Sequence, residues 1–338
     1  MSTKPVVVYG VSGYTGRLIC EYLREYNIPF VAAGRDKNRV QEVVDKIPGI
    51  DDVPHDVVEV EHTVEALAQL FDGAQVVCNT VGPFIKSGHT VIEACAEAGA
   101  HYLDTTGEIA ANLCLEHPGL DTLDILVLWK GYPTFASTQT IFTILKADWY
   151  YLEQNQYQQW PMDKVFTVAI PGQHELGLAL PWGGTAHPVW FKDDPRVANV
   201  KACGGVFERA VMENVIATTK MFTEQIKPLG PAEQEAALAE IAGSVQAAMP
   251  PRENPRVNTT LDSVHASGPL GRAHCVIHGN QNYKQTGLLQ AYAAYSLLQQ
   301  PPKRAGFASA CQAFGHRELL GVLRSFGLVM EPKLTVES

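Results

Sequence analysis

The chain has 338 residues, 46% of them apolar and 18% charged, with a formal net charge of −10. That length can bury two cores, and the acidic balance argues against a protein that grips nucleic acid through a broad basic face. No apolar run reaches the ~18 residues that cross a bilayer, and Met1-Ser2-Thr3-Lys4-Pro5 leads straight into strand without the apolar stretch of a signal peptide.

The first element is the β-branched run Val6-Val7-Val8-Tyr9. Gly10-Val11-Ser12-Gly13-Tyr14-Thr15-Gly16 follows it, then a helix with apolar periodicity at Leu18, Ile19, Tyr22 and Leu23. Strand, glycine turn and helix in this order form the opening unit of a dinucleotide-binding fold. Gly10 permits the tight turn, Gly13 lets backbone approach a pyrophosphate, and Gly16 allows the helix to pack against the strand. Free N–H groups at the helix start then face the phosphates. The expected cofactor contacts in this turn are Gly10, Ser12, Gly13, Tyr14, Thr15 and Gly16.

The second strand, Pro29-Phe30-Val31-Ala32-Ala33, ends in Gly34-Arg35-Asp36-Lys37-Asn38-Arg39. A site for NAD places a carboxylate here to accept hydrogen bonds from the ribose hydroxyls. Arg35 in that place suits a 2′-phosphate, which a guanidinium can bond and a carboxylate would repel. Arg35 and Lys37 are therefore expected to hold NADP(H). The alternative is that Arg35 to Arg39 open a solvated helix, capped by Asp36 or Asn38.

The alternation continues. A helix is expected over Asn38–Lys46, a strand over Asp56–Val60, a helix over Val64–Phe71, and a strand over Gln75–Asn79. Then come a helix over Ser87–Ala98, a short strand Ala100–Leu103, and an apolar strand Ile125–Trp129. Six strands in this rhythm predict a Rossmann-type, doubly wound parallel sheet over residues 1–133.

Beyond it the pattern changes. Helix is expected over Thr140–Leu152, strand over Lys164–Ile170, and no periodicity through Pro171–Pro188. Two helical runs, Phe207–Gln225 and Ala232–Met249, precede the linker Pro250–Pro255. Arg256–Ser267 and Arg272–Gly279 read as a hairpin joined at Gly268-Pro269-Leu270-Gly271, and helices return at Thr286–Gln299 and Arg317–Phe326. Hairpin-linked strands predict an α+β second domain with an antiparallel sheet over residues 134–285. The helices of residues 286–338 are expected to pack back on the first domain. Seven cysteines without a Cys-x-x-Cys spacing suggest reduced thiols and a cytoplasmic protein; Cys20, Cys78 and Cys95 fall in apolar patterns and pack.

Chemistry is expected at the carboxyl edge of the parallel sheet. Asn79-Thr80-Val81-Gly82-Pro83-Phe84 leaves the fourth strand, where Thr80, Val81 and Gly82 would border the cofactor. Tyr102-Leu103-Asp104-Thr105-Thr106-Gly107-Glu108 leaves the fifth, with Thr106 and Gly107 toward the nicotinamide half. Thr106 could equally cap the helix from Ile109.

These motifs, with Ala33-Gly34-Arg35, Gly88 and Ala94-Cys95, occur together in one order and cover roughly residues 6–115. On them the chain resembles the saccharopine dehydrogenase-like NADP-binding family, particularly the branch containing the trans-acting enoyl reductases. Fainter matches are Trp182-Gly183-Gly184-Thr185 and Gly279 through Tyr283 with Thr286. The resemblance implies a Rossmann domain, an α+β domain beside it, and NADP(H) between them.

Other chemistries fit poorly. None of the twelve tyrosines has lysine at the fourth following position, so the Tyr-x-x-x-Lys pair of short-chain dehydrogenases is missing. His274, Cys275 and His278 lie on a predicted strand, where residues four apart are ~13 Å apart at about 3.3 Å per residue; no metal is expected there. No Gly-x-Ser-x-Gly elbow is present. Hydride transfer needs an acid beside the substrate, and Tyr132 and Tyr283 are the expected donors, each with packing as its alternative. Trp182, His187, Trp190 and Phe191 suggest an aromatic wall for an apolar or cyclic substrate. The function expected is NADPH-dependent reduction of a C=C bond conjugated to a carbonyl. The alternatives are imine reduction, a saccharopine-type dehydrogenation, or a non-catalytic NADP-binding regulator. A small-molecule substrate and a second copy in a homodimer are the expected partners, with no nucleic acid and no membrane span.

Overall fold

The computed structural model describes residues 4–104, 108–145, 147–181, 186–244 and 250–337. The first half alternates strand and helix: β1 (Val6–Tyr9), α1 (Tyr14–Glu25), β2 (Phe30–Gly34), α2 (Lys37–Val44), β3 (His55–Glu59), α3 (Val64–Phe71), β4 (Val76–Asn79), α4 (Phe84–Ala98), β5 (His101–Leu103) and α5 (Ile109–Cys114). Strands β1 to β5 form a parallel sheet in the order β3-β2-β1-β4-β5. Both its faces are covered, which is why the central strands β1, β2 and β4 are buried along their whole length and mainly apolar, with Asn79 the polar end of β4. The helices start where local chemistry starts them: Asp36 accepts from Arg39 N and Thr63 from Ala66 N, and Gly99 ends α4 in the left-handed region at φ 68°.

The sixth strand corrects the expectation from sequence. β6 (Thr122–Trp129) leaves the parallel sheet and becomes the middle of a second one. The remaining elements are α6 (Phe135–Ile144), β7 (Tyr150–Glu153), β8 (Gln156–Gln159), β9 (Phe166–Ala169), β10 (Leu176–Ala179), α7 (His187–Trp190), β11 (Asn199–Val206), α8 (Arg209–Met221), α9 (Pro231–Ser244), β12 (Thr259–Gly268), β13 (Gly271–Asn280), α10 (Asn282–Gln299), α11 (Ala310–Phe314), α12 (His316–Ser325) and β14 (Lys333–Glu337). The second sheet runs β14-β13-β12-β6-β11-β7-β8. It is mixed rather than wholly antiparallel, because β6 and β11 pair in parallel along eight residues. Strands β10 and β11 sit where no strand was expected; the helix expected over Thr140–Leu152 ends early, and Tyr150 opens β7.

The hairpin β12–β13 forms at the expected turn, pairing Gly268 with Gly271, although β12 begins at Thr259 rather than Arg256. One continuous apolar core joins the two sheets: Val6 and Val8 of β1, Ile19 of α1, Leu123 and Ile125 of β6, Val264 of β12 and Leu288 of α10 all belong to it. Helix α10 lies close along α1, since a Cβ on Gly287 would stand 2.8 Å from Leu18 Cβ. Phe191, expected on an aromatic wall, is 2% exposed inside this core, and Trp190 is buried with its ring edge-on to His187. Trp182-Gly183-Gly184-Thr185 lies outside the described residues.

A Pro-rich segment also departs from expectation. Pro250–Pro255 is not a free linker: Arg252 forms a two-pronged ion pair with Glu21 of α1, at 2.7 and 3.2 Å. Glu253, itself buried, accepts from the N–H groups of Tyr283 and Lys284, and so caps α10.

Candidate dinucleotide site

The glycine turn is built for close approach. Gly10 adopts φ 99°, open to glycine but strained for other residues, and donates to Ala33 O at 2.9 Å. A Cβ on Gly16 would stand 2.5 Å from Gly10 O and 2.8 Å from Val11 Cα. Gly13 precedes α1 and supplies no capping side chain, so the first-turn N–H groups, Tyr14 and Thr15 among them, lack a cap from that position. Thr80 Oγ1 donates to Tyr9 O at 3.0 Å, which binds the exit of β4 to that of β1. Val81 N is fixed by Asn79 Oδ1 at 3.0 Å, and a Cβ on Gly82 would stand 3.5 Å from Thr140 Oγ1 of α6.

At the end of β2, a Cβ on Gly34 would meet Val40 at 2.7 Å and would stand 4.0 Å from Ser12 Oγ. Arg35 is exposed, and among the described residues no hydrogen bond or ion pair holds its guanidinium. Both carboxylates nearby in the chain fold are engaged: Asp36 caps α2, and Glu59 accepts from Lys37 N at 3.0 Å. The exposed Lys37 side chain lies on the first turn of α2. An anionic dinucleotide fits these residues: a glycine cradle that a Cβ would fill, an uncapped helix start, and an unpaired guanidinium. Thr106 and Gly107 lie outside the described residues.

The two tyrosines singled out from sequence meet in one small crevice. Tyr14, Tyr132, Tyr283, Pro251, Glu253 and Asn258 line it. Tyr132 is 67% exposed at its rim. The Tyr14 ring meets Tyr283 edge-on at 5.4 Å, and Tyr14 OH accepts from Glu253 N at 3.0 Å. Tyr283 OH accepts from Thr134 N at 3.0 Å and lies 2.9 Å from Ser137 Oγ, which is 3.0 Å from Thr134 Oγ1. Three hydroxyls thus form a chain at the start of α6. Tyr14 joins the crevice through its side chain while its backbone opens α1 directly after Gly13 of the glycine turn.

Two groups, Glu253 and Asp262, escaped sequence reasoning. Glu253 sits in a segment whose prolines and charges read as linker. Burial pushes the Asp262 carboxyl up to about 6; it faces the same side of β12 as Thr260, which accepts from Gln285 of α10. Burial also pushes Glu108 up to about 7, although Ser309 donates to it. Glu253 and Asp262 had no local signal, because the partners of the first and the burial of the second come from the tertiary fold, whereas Glu108 ends the motif that leaves β5. His274 stacks on His265 at 3.8 Å, and Ser263 Oγ lies 2.9 Å from its Nε2.

The fold and the glycine turn define a class, proteins that carry a saccharopine dehydrogenase-like NADP-binding domain. Residues 6–122 match the saccharopine dehydrogenase NADP-binding domain. The whole chain is similar in fold to saccharopine dehydrogenase (L-Glu forming) from Saccharomyces cerevisiae, with a TM-score of 0.60 at 10% identity over 98% of this chain and 100% of that one. Within that class, the chain belongs to a family of unknown function, DUF5938, whose model matches residues 105–338. It is 36% identical over 107 residues to a trans-acting enoyl reductase of Mycobacterium ulcerans, covering 31% of this chain and 25% of that protein. It is also 36% identical over 118 residues to a lipid droplet localized protein of Caenorhabditis elegans, covering 32% and 28%. The aligned part thus spans about a quarter of the length of these curated relatives. The cofactor is NADP(H). No helix among the described residues is long and apolar enough to cross a membrane.

Proposed function

We propose that the chain is a cytoplasmic NADPH-dependent reductase of a C=C bond conjugated to a carbonyl, acting on a small apolar or cyclic substrate. One observation carries this reading: Tyr14 of the glycine turn and the hydroxyl of Tyr283 line the same crevice. The named enoyl reductase relatives support the bond type.

Gly10, Gly13, Gly16, Arg35, Lys37, Thr80, Val81 and Gly82 would hold NADPH. When bound, the cofactor supplies hydride. Tyr283 is the proposed proton donor. Its oxygen accepts from Thr134 N–H and shares a hydrogen bond with Ser137 Oγ; with Ser137 as donor in that bond, the phenol hydrogen is left for the substrate, and Ser137 Oγ and Thr134 Oγ1 stand next in line to return a proton. Tyr132, at the rim, would shield the site from water.

Tyr283→Phe tests the reading. The expected result is NADPH affinity within twofold of wild type and at least a tenfold loss of turnover with an enone. Full turnover in both Tyr283→Phe and Tyr132→Phe would overturn the assignment of a tyrosine donor. Failure of every enone to oxidise NADPH, with oxidation by an imine, would replace C=C by C=N reduction.

A further inference from the structure

A second group borders the place where Arg35 waits. Tyr9 ends β1 and is 1% exposed. Its hydroxyl lies 2.9 Å from Nδ1 of His62, in the loop between β3 and α3. The two rings are near parallel, 7° apart with centroids at 5.9 Å. The order β3-β2-β1 explains the meeting: it gathers the exits of three adjacent strands, carrying His62, Arg35 and the glycine turn, at one carboxyl edge.

We propose that His62 is a second recognition residue for the adenosine 2′-phosphate of the cofactor, acting with the Arg35 guanidinium. The proposal rests on NADPH being the preferred cofactor. Stacking and the Tyr9 bond hold the ring, and because Nδ1 is engaged there, Nε2 is left as the hydrogen-bonding atom. Nε2 has no hydrogen-bond partner among the described residues.

Burial, and then the Arg35 charge, hold the His62 pKa below the usual histidine value, so in the free protein the ring is mostly neutral at pH 7. A phosphate dianion beside both groups reverses that field and favours the imidazolium. The Tyr9 phenol is the titratable group in contact with the ring, and Glu59, Glu61 and Glu65 are its acidic neighbours along the chain. These are the same whichever dinucleotide binds, so they do not distinguish NADPH from NADH. The 2′-phosphate does.

The test is the Kd of NADPH and of NADH for the full chain at pH 6.5 and 8.0, in wild type, His62→Asn, His62→Gln and Arg35→Ala, with proton uptake measured by calorimetry in buffers of different ionisation enthalpy. We expect His62→Asn to weaken NADPH roughly three- to tenfold at pH 6.5 and less at pH 8.0, with NADH changed less than twofold. Part of the proton uptake on NADPH binding should vanish with it. His62→Gln keeps a donor of similar reach that cannot titrate, and should lose the same share of proton uptake. If wild type binds the two dinucleotides equally, the preference for NADPH itself fails. If Arg35→Ala abolishes a clear preference while both His62 variants keep wild-type affinity and proton uptake at both pH values, the role of His62 is overturned and the preference stands.

Discussion

The two sheets of this protein are built by different rules. In the parallel sheet, strands follow one another within 30 residues or fewer, and each glycine, cap and apolar run sits beside the element it shapes. In the second sheet, the central parallel pair β6–β11 joins residues 122–129 to 199–206, and β12 closes on β6 from still further along. Close backbone packing occurs in both. Gly16 meets Gly10 from six residues away, whereas a Cβ on Gly268 would stand 1.9 Å from Gly119 O, 149 residues away. The first contact belongs to a local motif, while the second exists only once the chain has folded.

The largest effect is expected at that second contact. Gly268→Ala has no room against backbone and should cost about 3 kcal/mol or more, read from urea unfolding. NADPH affinity of the protein that remains folded should stay within twofold. Gly16→Ala should cost less stability, about 1–3 kcal/mol, but weaken NADPH at least tenfold in a fluorescence titration. If both variants lose affinity and stability in the same proportion, the contrast between a functional and a purely structural close approach is broken.

Glu108 sharpens the comparison, because it links α5 to Ser309 near the far end of the chain. Burial raises its pKa from 4.5 to about 7, so the folded protein takes up its proton at a higher pH than the unfolded chain does. Its contribution is full below pH 4.5 and is lost as pH rises through 7. Glu108→Gln should therefore be more stable than wild type at pH 8, by on the order of 1–2 kcal/mol, and should flatten the stability profile between pH 4.5 and 7. A profile unchanged by the substitution would show that this carboxyl is not buried as described.

The smallest effect concerns the strap across α1. The Arg252 side chain is 53% exposed, and Glu21 keeps Arg17 at 3.2 Å when Arg252 is removed. Arg252→Ala should cost about 1 kcal/mol or less, while limited proteolysis after residue 250 becomes faster. An unchanged cleavage rate would mean that the Glu253 cap alone holds the segment.

What the sequence determined by itself was local. The β-branched run of β1, the spacing of Gly10, Gly13 and Gly16, the helix Val64–Phe71 and the hairpin turn at Gly268-Pro269-Leu270-Gly271 are all decided by neighbours within a few residues, and their periodicity carries them. The tertiary structure decided what depends on distant partners. The run at 122–129 is apolar enough for either sheet, and it joined the second because β12 and β11 pair with its two edges. Asn199–Val206 contains two glycines and little periodicity, and it becomes a strand through β6 beside it. The prolines of 250–255 marked a linker until Glu21 and the start of α10 fixed Arg252 and Glu253. Tyr14, Tyr132 and Tyr283 share a crevice for the same reason: α10 packs along α1, a choice made by buried surface that no short window of sequence contains.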